Sequence, residues 1–143
     1  MFNIKQSELD KSEIENGQIF APKFDEKGLI TVVTQHAKSD EILMVAFMNE
    51  EALRLTIELK EAVYFSRSRN EIWHKGKTSG QFQKVISMRT DCDQDAIVLK
   101  VLPGGDGGCC HVGYENCFYR EVDLEDSKTK NKALLKNPDV AKV

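Results

Sequence analysis

Four cysteines and the densest carboxylate cluster of the chain fall within Thr90–Cys117. The segment opens with Asp91-Cys92-Asp93-Gln94-Asp95 and continues through the apolar Ala96–Leu102. It loosens into a glycine-rich stretch and closes with Cys109-Cys110-His111 and Cys117. Carboxylates suit hard cations such as Mg²⁺, whereas thiolates and imidazole suit zinc. If Asp91–Asp95 is extended, Asp91, Asp93 and Asp95 share one side and Cys92 points to the other, because side chains alternate along a strand. Three carboxylates together repel unless a cation sits among them, which makes Mg²⁺ the expected occupant. The plain alternative is an exposed acidic turn.

The thiols do not form the paired C-x-x-C knuckle of a structural zinc ribbon: six residues separate Cys110 from Cys117, and Cys92 lies far upstream. Three thiolates would leave a fourth tetrahedral position open for water, whose pKa a zinc ion lowers toward neutrality. Buried small hydrophobes are the competing reading, since free cysteine is among the most buried residue types. Adjacent cysteines rarely aim at one ion, so one of Cys109 and Cys110 is expected to be a bystander. His111 could be a ligand, a proton carrier or a packed histidine.

A basic stretch supplies a third set of groups. Ser66-Arg67-Ser68-Arg69 is followed by Trp73-His74-Lys75-Gly76-Lys77-Thr78-Ser79-Gly80. Arginine forks, a lysine, small hydroxyls and glycines are the ingredients of a phosphate grip, although the Walker spacing is absent. Arg67, Arg69, Lys75, Thr78 and Ser79 are the candidate substrate contacts. Trp73 could stack on a base or pack into the core. A solvated edge is the bland reading of the same residues.

The positioning elements follow from local pattern. Leu29–Thr34 and Ile42–Met48 read as strands, the second buried. Asn49 is a good helix N-cap, Glu50 and Glu51 suit the first turn, and the apolar spacing predicts a helix to about Lys60. Strands are expected at Ala62–Ser66, Glu71–His74, Phe82–Arg89, Ala96–Leu102 and Phe118–Val122. Residues 1–17 read as a peripheral helix or loose arm, and 18–122 as the core. Residues 123–143 read as a charged, loosely attached tail with a helical segment near Lys130–Lys136. The expected class is mainly β (α+β): a small curled antiparallel sheet or pseudo-barrel capped by one helix, in a single domain spanning 1–143.

At 143 residues and net charge −3 the chain can build a real core, and it lacks the basic surface that broad nucleic-acid binding needs. No stretch approaches a membrane span, and the N-terminus lacks the apolar run of a secretion signal. Cysteines in such a chain favour metal or catalytic use over disulfides, so a cytoplasmic setting is expected.

Ala46-Phe47-Met48-Asn49-Glu50-Glu51-Ala52-Leu53, Tyr64–Arg69, Trp73–Gly80, Asp91–Asp95, Cys110-His111 and Cys117-Phe118 occur in an order that resembles the phosphoribosyl-AMP cyclohydrolases of histidine biosynthesis. The resemblance runs from about Phe24 to Val122. It implies a small β pseudo-barrel with a helix, and hydrolysis of the N1–C6 bond of the adenine ring in 1-(5-phosphoribosyl)-AMP to a formimino-carboxamide. It further implies Zn²⁺ on Cys92, Cys110 and Cys117, Mg²⁺ on Asp91, Asp93 and Asp95, and a homodimer. In that dimer the upstream cysteine of one chain meets the downstream pair of the other. His111 is then the candidate for moving the proton. Lys77, Gln81 and Cys109 depart from the family's usual residues.

Two other readings compete. A deaminase-like hydrolase of another purine nucleotide would attack the same carbon, but the His-x-Glu and Pro-Cys-x-x-Cys signature is missing. A non-catalytic module stabilised by zinc would use the cysteines only to fold or to dimerise.

Overall fold

Two runs that the sequence marks as apolar, β1 (Ile30–His36) and β6 (Ala96–Pro103), lie side by side at the centre of a four-stranded sheet. The computed structural model describes residues 2, 4–128 and 130–143. Sheet order is β2-β1-β6-β5, with β2 (Ile42–Met48) and β5 (Gln83–Thr90) at the edges. The mainly β class is as expected, and the sheet is open rather than closed into a barrel. One pairing differs from an all-antiparallel sheet: β1 and β6 run parallel, with Thr31 opposite Ala96 and His36 opposite Val101. A parallel pair needs a long crossover, and the five elements between β1 and β6 provide it.

The crossover carries the helix and a hairpin. Asn49 caps α2 (Glu50–Leu59) by accepting from the Ala52 N–H at 2.8 Å, and Lys60 ends it in the left-handed region at φ 55°. Ala52, Leu53 and Thr56 face the core. The Thr56 hydroxyl donates to the helix carbonyl of Ala52 and accepts from the Val63 N–H at 3.0 Å, tying the helix to β3 (Val63–Ser66). β3 pairs with β4 (Glu71–His74) as an antiparallel hairpin. Backbone bonds Ala62 N–H to Gln83 and Val85 N–H to Lys60 fasten the hairpin to edge strand β5. The core gathers Val32, Leu43, Met48, Leu53, Tyr64 and Leu99, all essentially inaccessible.

The tail departs from expectation, and the arm does not. The arm holds a single 3-10 turn at Gln6–Glu8 and α1 (Lys11–Asn16), whose N-cap Asp10 forms a capping box with Glu13; Met1 and Asn3 lie outside the described residues. In the tail, the segment expected to be helical near Lys130–Lys136 contains strand β8 (Leu134–Lys136), paired with β7 (Arg120–Val122). Thr129 lies outside the described residues. The last residues return to the body: Glu115 N–H donates to Ala141, Val143 N–H donates to Gly113, and Val140 is buried beside Cys110 and Tyr114. A hairpin satisfies backbone groups that an isolated charged helix of that length would leave to solvent. Among the described residues no helix is long and apolar enough to cross a membrane.

Candidate active site

A cleft of about 800 Å³ opens between β2, the β3–β4 hairpin and the cysteine loop. Its cations are Lys27, Arg67, Arg69 and Lys75, and none of the residues lining it is an acid. The β3–β4 turn places the two exposed arginines at the rim of the cleft. The Arg67 guanidinium lies 4.0 Å over the Phe47 ring, and Arg69 reaches the Glu71 carboxylate at 3.6 Å. Lys75 is the unusual member, only 4% exposed. Its backbone is held by the Ala62 carbonyl, while its ammonium lies 3.5 Å from Gln81 Oε1 and 5.6 Å from the Trp73 ring. No carboxylate pairs with it among the described residues. Trp73 lines the cleft with one side packed on Tyr64, so it is both wall and core.

Thr78 and Ser79 are not among the residues lining this cleft. Both are exposed in the turn after β4, where the Ser79 hydroxyl accepts from Gln81 N–H at 3.2 Å. Lys27 and Phe47 are lining residues that sequence reasoning missed. Phe47 lay in a quoted motif, and Lys27 in a turn whose proximity to the cleft is set by the chain's path.

The cysteine loop forms the far wall. Cys109 and Cys110 both donate backbone N–H groups to the Tyr114 carbonyl, and Cys117 N–H donates to Leu43 at 2.8 Å. Buried Asn116 secures the turn by bonding Glu41 and accepting from Phe118 N–H. His111, Cys109 and Cys117 line the cleft, with the His111 imidazole exposed. Burial, then the neighbouring Cys110 thiol, pushes the Cys117 thiol up to about 12. Burial also raises Cys109, whose sulfur accepts from Gln83 Nε2 at 3.5 Å. Two thiols this close cannot both ionise cheaply without a cation between them, which is the donor chemistry a soft metal requires. Cys110 faces Cys117 from the minor cluster of Tyr114 and Val140, whereas Cys109 belongs to the main core.

The acidic segment is a turn between β5 and β6, so the side-chain alternation of an extended stretch does not apply to it. Asp91 accepts from the backbone N–H groups of Asp95 and Ala96, at 3.0 and 3.2 Å, and this curls the loop back on itself. The three carboxylates still converge: ligand oxygens of Asp91, Asp93 and Asp95 all lie within 4.8 Å of one another, exposed to solvent. Hydrogen bonding with Asp93 and then Asp91 raises Asp95 to about 6. Burial opposes ionisation of Asp91, but bonds from Asp95 and Ala96 hold it below the usual carboxylate range. An all-oxygen set of this compactness fits a hard divalent cation.

Cys92 lies in this acidic turn, exposed, at one end of the sheet. Cys110 and Cys117 are at the other end, because Cys117 is tied to the start of β2, which pairs with the end of β1. The eight residues of β6 separate the two ends, about 25 Å at ~3.3 Å per residue. One chain therefore unites Cys110 with Cys117 and leaves Cys92 apart. Among the described residues no third histidine, cysteine or carboxylate joins the pair closely enough to complete a metal site.

Known proteins place this arrangement. The sequence profile of phosphoribosyl-AMP cyclohydrolase matches residues 44–119. A protein of that name from Caulobacter vibrioides (strain NA1000 / CB15N) is 58% identical over 113 residues, covering 79% of this chain and 81% of its own. Another, from Rhizobium rhizogenes, is 56% identical over 119 residues, covering 83% and 80%. One from Sinorhizobium fredii is 55% identical over 121 residues, covering 85% and 80%. With its cationic cleft, paired thiols and acidic turn lying inside or beside the matched segment, the chain belongs to the phosphoribosyl-AMP cyclohydrolase family.

Proposed function

We propose that the protein opens the purine ring of 1-(5-phosphoribosyl)-AMP by hydrolysing the N1–C6 bond, giving the phosphoribosyl-formimino-carboxamide of histidine biosynthesis. The observation that carries this reading is the cleft lined by Lys27, Arg67, Arg69 and Lys75, with thiols and His111 on its far wall. A substrate bearing two phosphates needs several cations and no acid around it. Arg67 and Arg69 present forked donors to phosphate at the rim. The buried Lys75 ammonium meets the inner end of the ligand, and Trp73 offers a flat face to the base.

Cys110 and Cys117 would hold Zn²⁺ with Cys92 from a second copy of the chain, and Asp91, Asp93 and Asp95 would hold Mg²⁺. Zinc so bound supplies an activated water, and magnesium supplies charge for substrate phosphate. A two-fold dimer would bring one acidic turn against the other chain's cysteine loop. The exposed apolar side chains of Ile42, Val45, Val112 and Phe118 around that loop support such a contact. In the reaction, water adds to C6, the C6–N1 bond breaks, and the water's proton passes to the departing N1. His111, exposed on the cleft wall, accepts that proton at a ring nitrogen and returns it to N1. A cytoplasmic setting, where thiols stay reduced, suits this use of cysteine.

The test is product absorbance with 1-(5-phosphoribosyl)-AMP against AMP and adenosine. Turnover of the first alone is expected; turnover of AMP without it would overturn the assignment.

A further inference from the structure

Gln94 is the one buried member of the Asp91–Asp95 turn, at 5% exposure. Its carboxamide oxygen accepts from Ala21 N–H at 2.8 Å, and its nitrogen donates to the carbonyls of Ile14 at 3.1 Å and Ile19 at 3.2 Å. Its own carbonyl accepts from Lys23 N–H at 2.7 Å. Gln6 adds a further link, donating to the Asp93 carbonyl at 2.7 Å. Both amide hydrogens and the amide oxygen of Gln94 are therefore spent on residues 14–21, where the N-terminal arm runs into the core. The backbone at Gln94 has φ 59°, a left-handed conformation that glycine adopts with less strain than any side chain. A side chain that stands there against that preference, with every polar atom engaged, is a latch.

We propose that Gln94 is a positioning residue that locks the arm onto the acidic turn, and that this lock sets the divalent-cation affinity of Asp91, Asp93 and Asp95. The inference rests on the reading of those aspartates as a cation site. Carboxylates crowded within 4.8 Å repel, so an unlatched turn spreads and a cation must gather it again on binding. The latch supplies that order in advance, as supporting hydrogen bonds do for ligands elsewhere. Cys92 lines the same crevice between arm and turn, so its position depends on the same lock.

The discriminating variant is Gln94→Gly, which suits the left-handed backbone and removes the side chain with its amide; Gln6→Ala removes the outer link to Asp93 together with the Gln6 bond to the Ala21 carbonyl. Full-length, zinc-loaded protein is titrated with Mn²⁺ by electron paramagnetic resonance, and amide exchange is followed in cation-free protein. Gln94→Gly is expected to weaken Mn²⁺ binding about tenfold and to speed exchange in both the arm and the acidic turn. The Mg²⁺ concentration for half-maximal turnover should rise by a similar factor, with the wild-type maximal rate recovered at high Mg²⁺. Gln6→Ala should shift these readouts the same way by less. Faster exchange in the arm alone, with Mn²⁺ affinity and turn exchange unchanged, overturns the proposal. So does a lost rate that Mg²⁺ cannot restore. If wild type and Asp93→Asn bind Mn²⁺ equally, the cation reading itself falls, and exchange of the turn in Gln94→Gly alone decides whether the latch stands.

Discussion

Tyr64 and Gln83 meet in the core, the phenol donating to the carboxamide oxygen at 2.5 Å. Thr34 donates to the same phenol oxygen at 2.7 Å, and the Gln83 nitrogen reaches Met44 and Cys109 sulfurs. A chain of polar groups thus runs through an apolar interior from the central strand to the cysteine loop. It holds the floor of the cleft in one arrangement, because its buried donors find their partners within the chain itself.

Tyr64→Phe leaves the Gln83 oxygen without its donor and should cost about 1–3 kcal/mol at neutral pH. Burial, the dominant influence, raises the Tyr64 phenol above its ordinary value. The folded phenol therefore stays protonated where the unfolded one ionises. Its contribution is complete below the unfolded value of about 10 and declines as pH climbs past it. Urea titrations from about pH 9 to about pH 11 should show wild type losing stability more steeply than Tyr64→Phe. Equal slopes would mean the phenol is not buried in solution.

Lys75→Met separates activity from stability. Losing a buried ammonium from the substrate cleft should lower kcat/KM roughly a hundredfold. The melting temperature should hold or rise, because an unpaired buried charge is removed. Steady-state kinetics beside thermal melts check both. A variant that melts early with unchanged kcat/KM would make Lys75 a structural residue.

Cys92→Ser and Cys117→Ser should each be inactive alone. In a mixed dimer, one site receives both defects and the other receives none. Refolding the two variants together should therefore restore roughly a quarter of wild-type activity. No recovery, with mixed dimers verified by native mass spectrometry, would exclude a site shared between chains.

Asp93→Asn removes one of three crowded charges. Without divalent cation it should melt no lower than wild type, since one charge leaves a cluster whose oxygens all lie within 4.8 Å of one another. With Mg²⁺ the order should reverse, wild type gaining stability and the variant little. Chelation should abolish turnover in wild type. Melts with and without Mg²⁺ would expose the error if both proteins responded alike.

Helix α2 and most strands could be read from the chain because their signals are local. Asn49 before Glu50 and Glu51 is a cap, and Ile42–Met48 is an apolar run whose bounds the fold reproduces. The reactive residue types and their grouping into motifs were equally plain. Other features depend on groups that meet only when the chain closes. Nothing near Ile30 announces that it will run parallel to a strand sixty-odd residues later. The turn at Asp91–Asp95 is curled by bonds among its own residues and locked by an amide reaching Ile14 and Ala21. The tail becomes a strand because β7 waits beside it, and Lys27 joins the cleft because its turn passes there. Periodicity reports which face of a segment avoids water, but not which distant segment will cover it. That choice belongs to packing, and packing is why Cys92 and Cys117 end on opposite ends of one sheet.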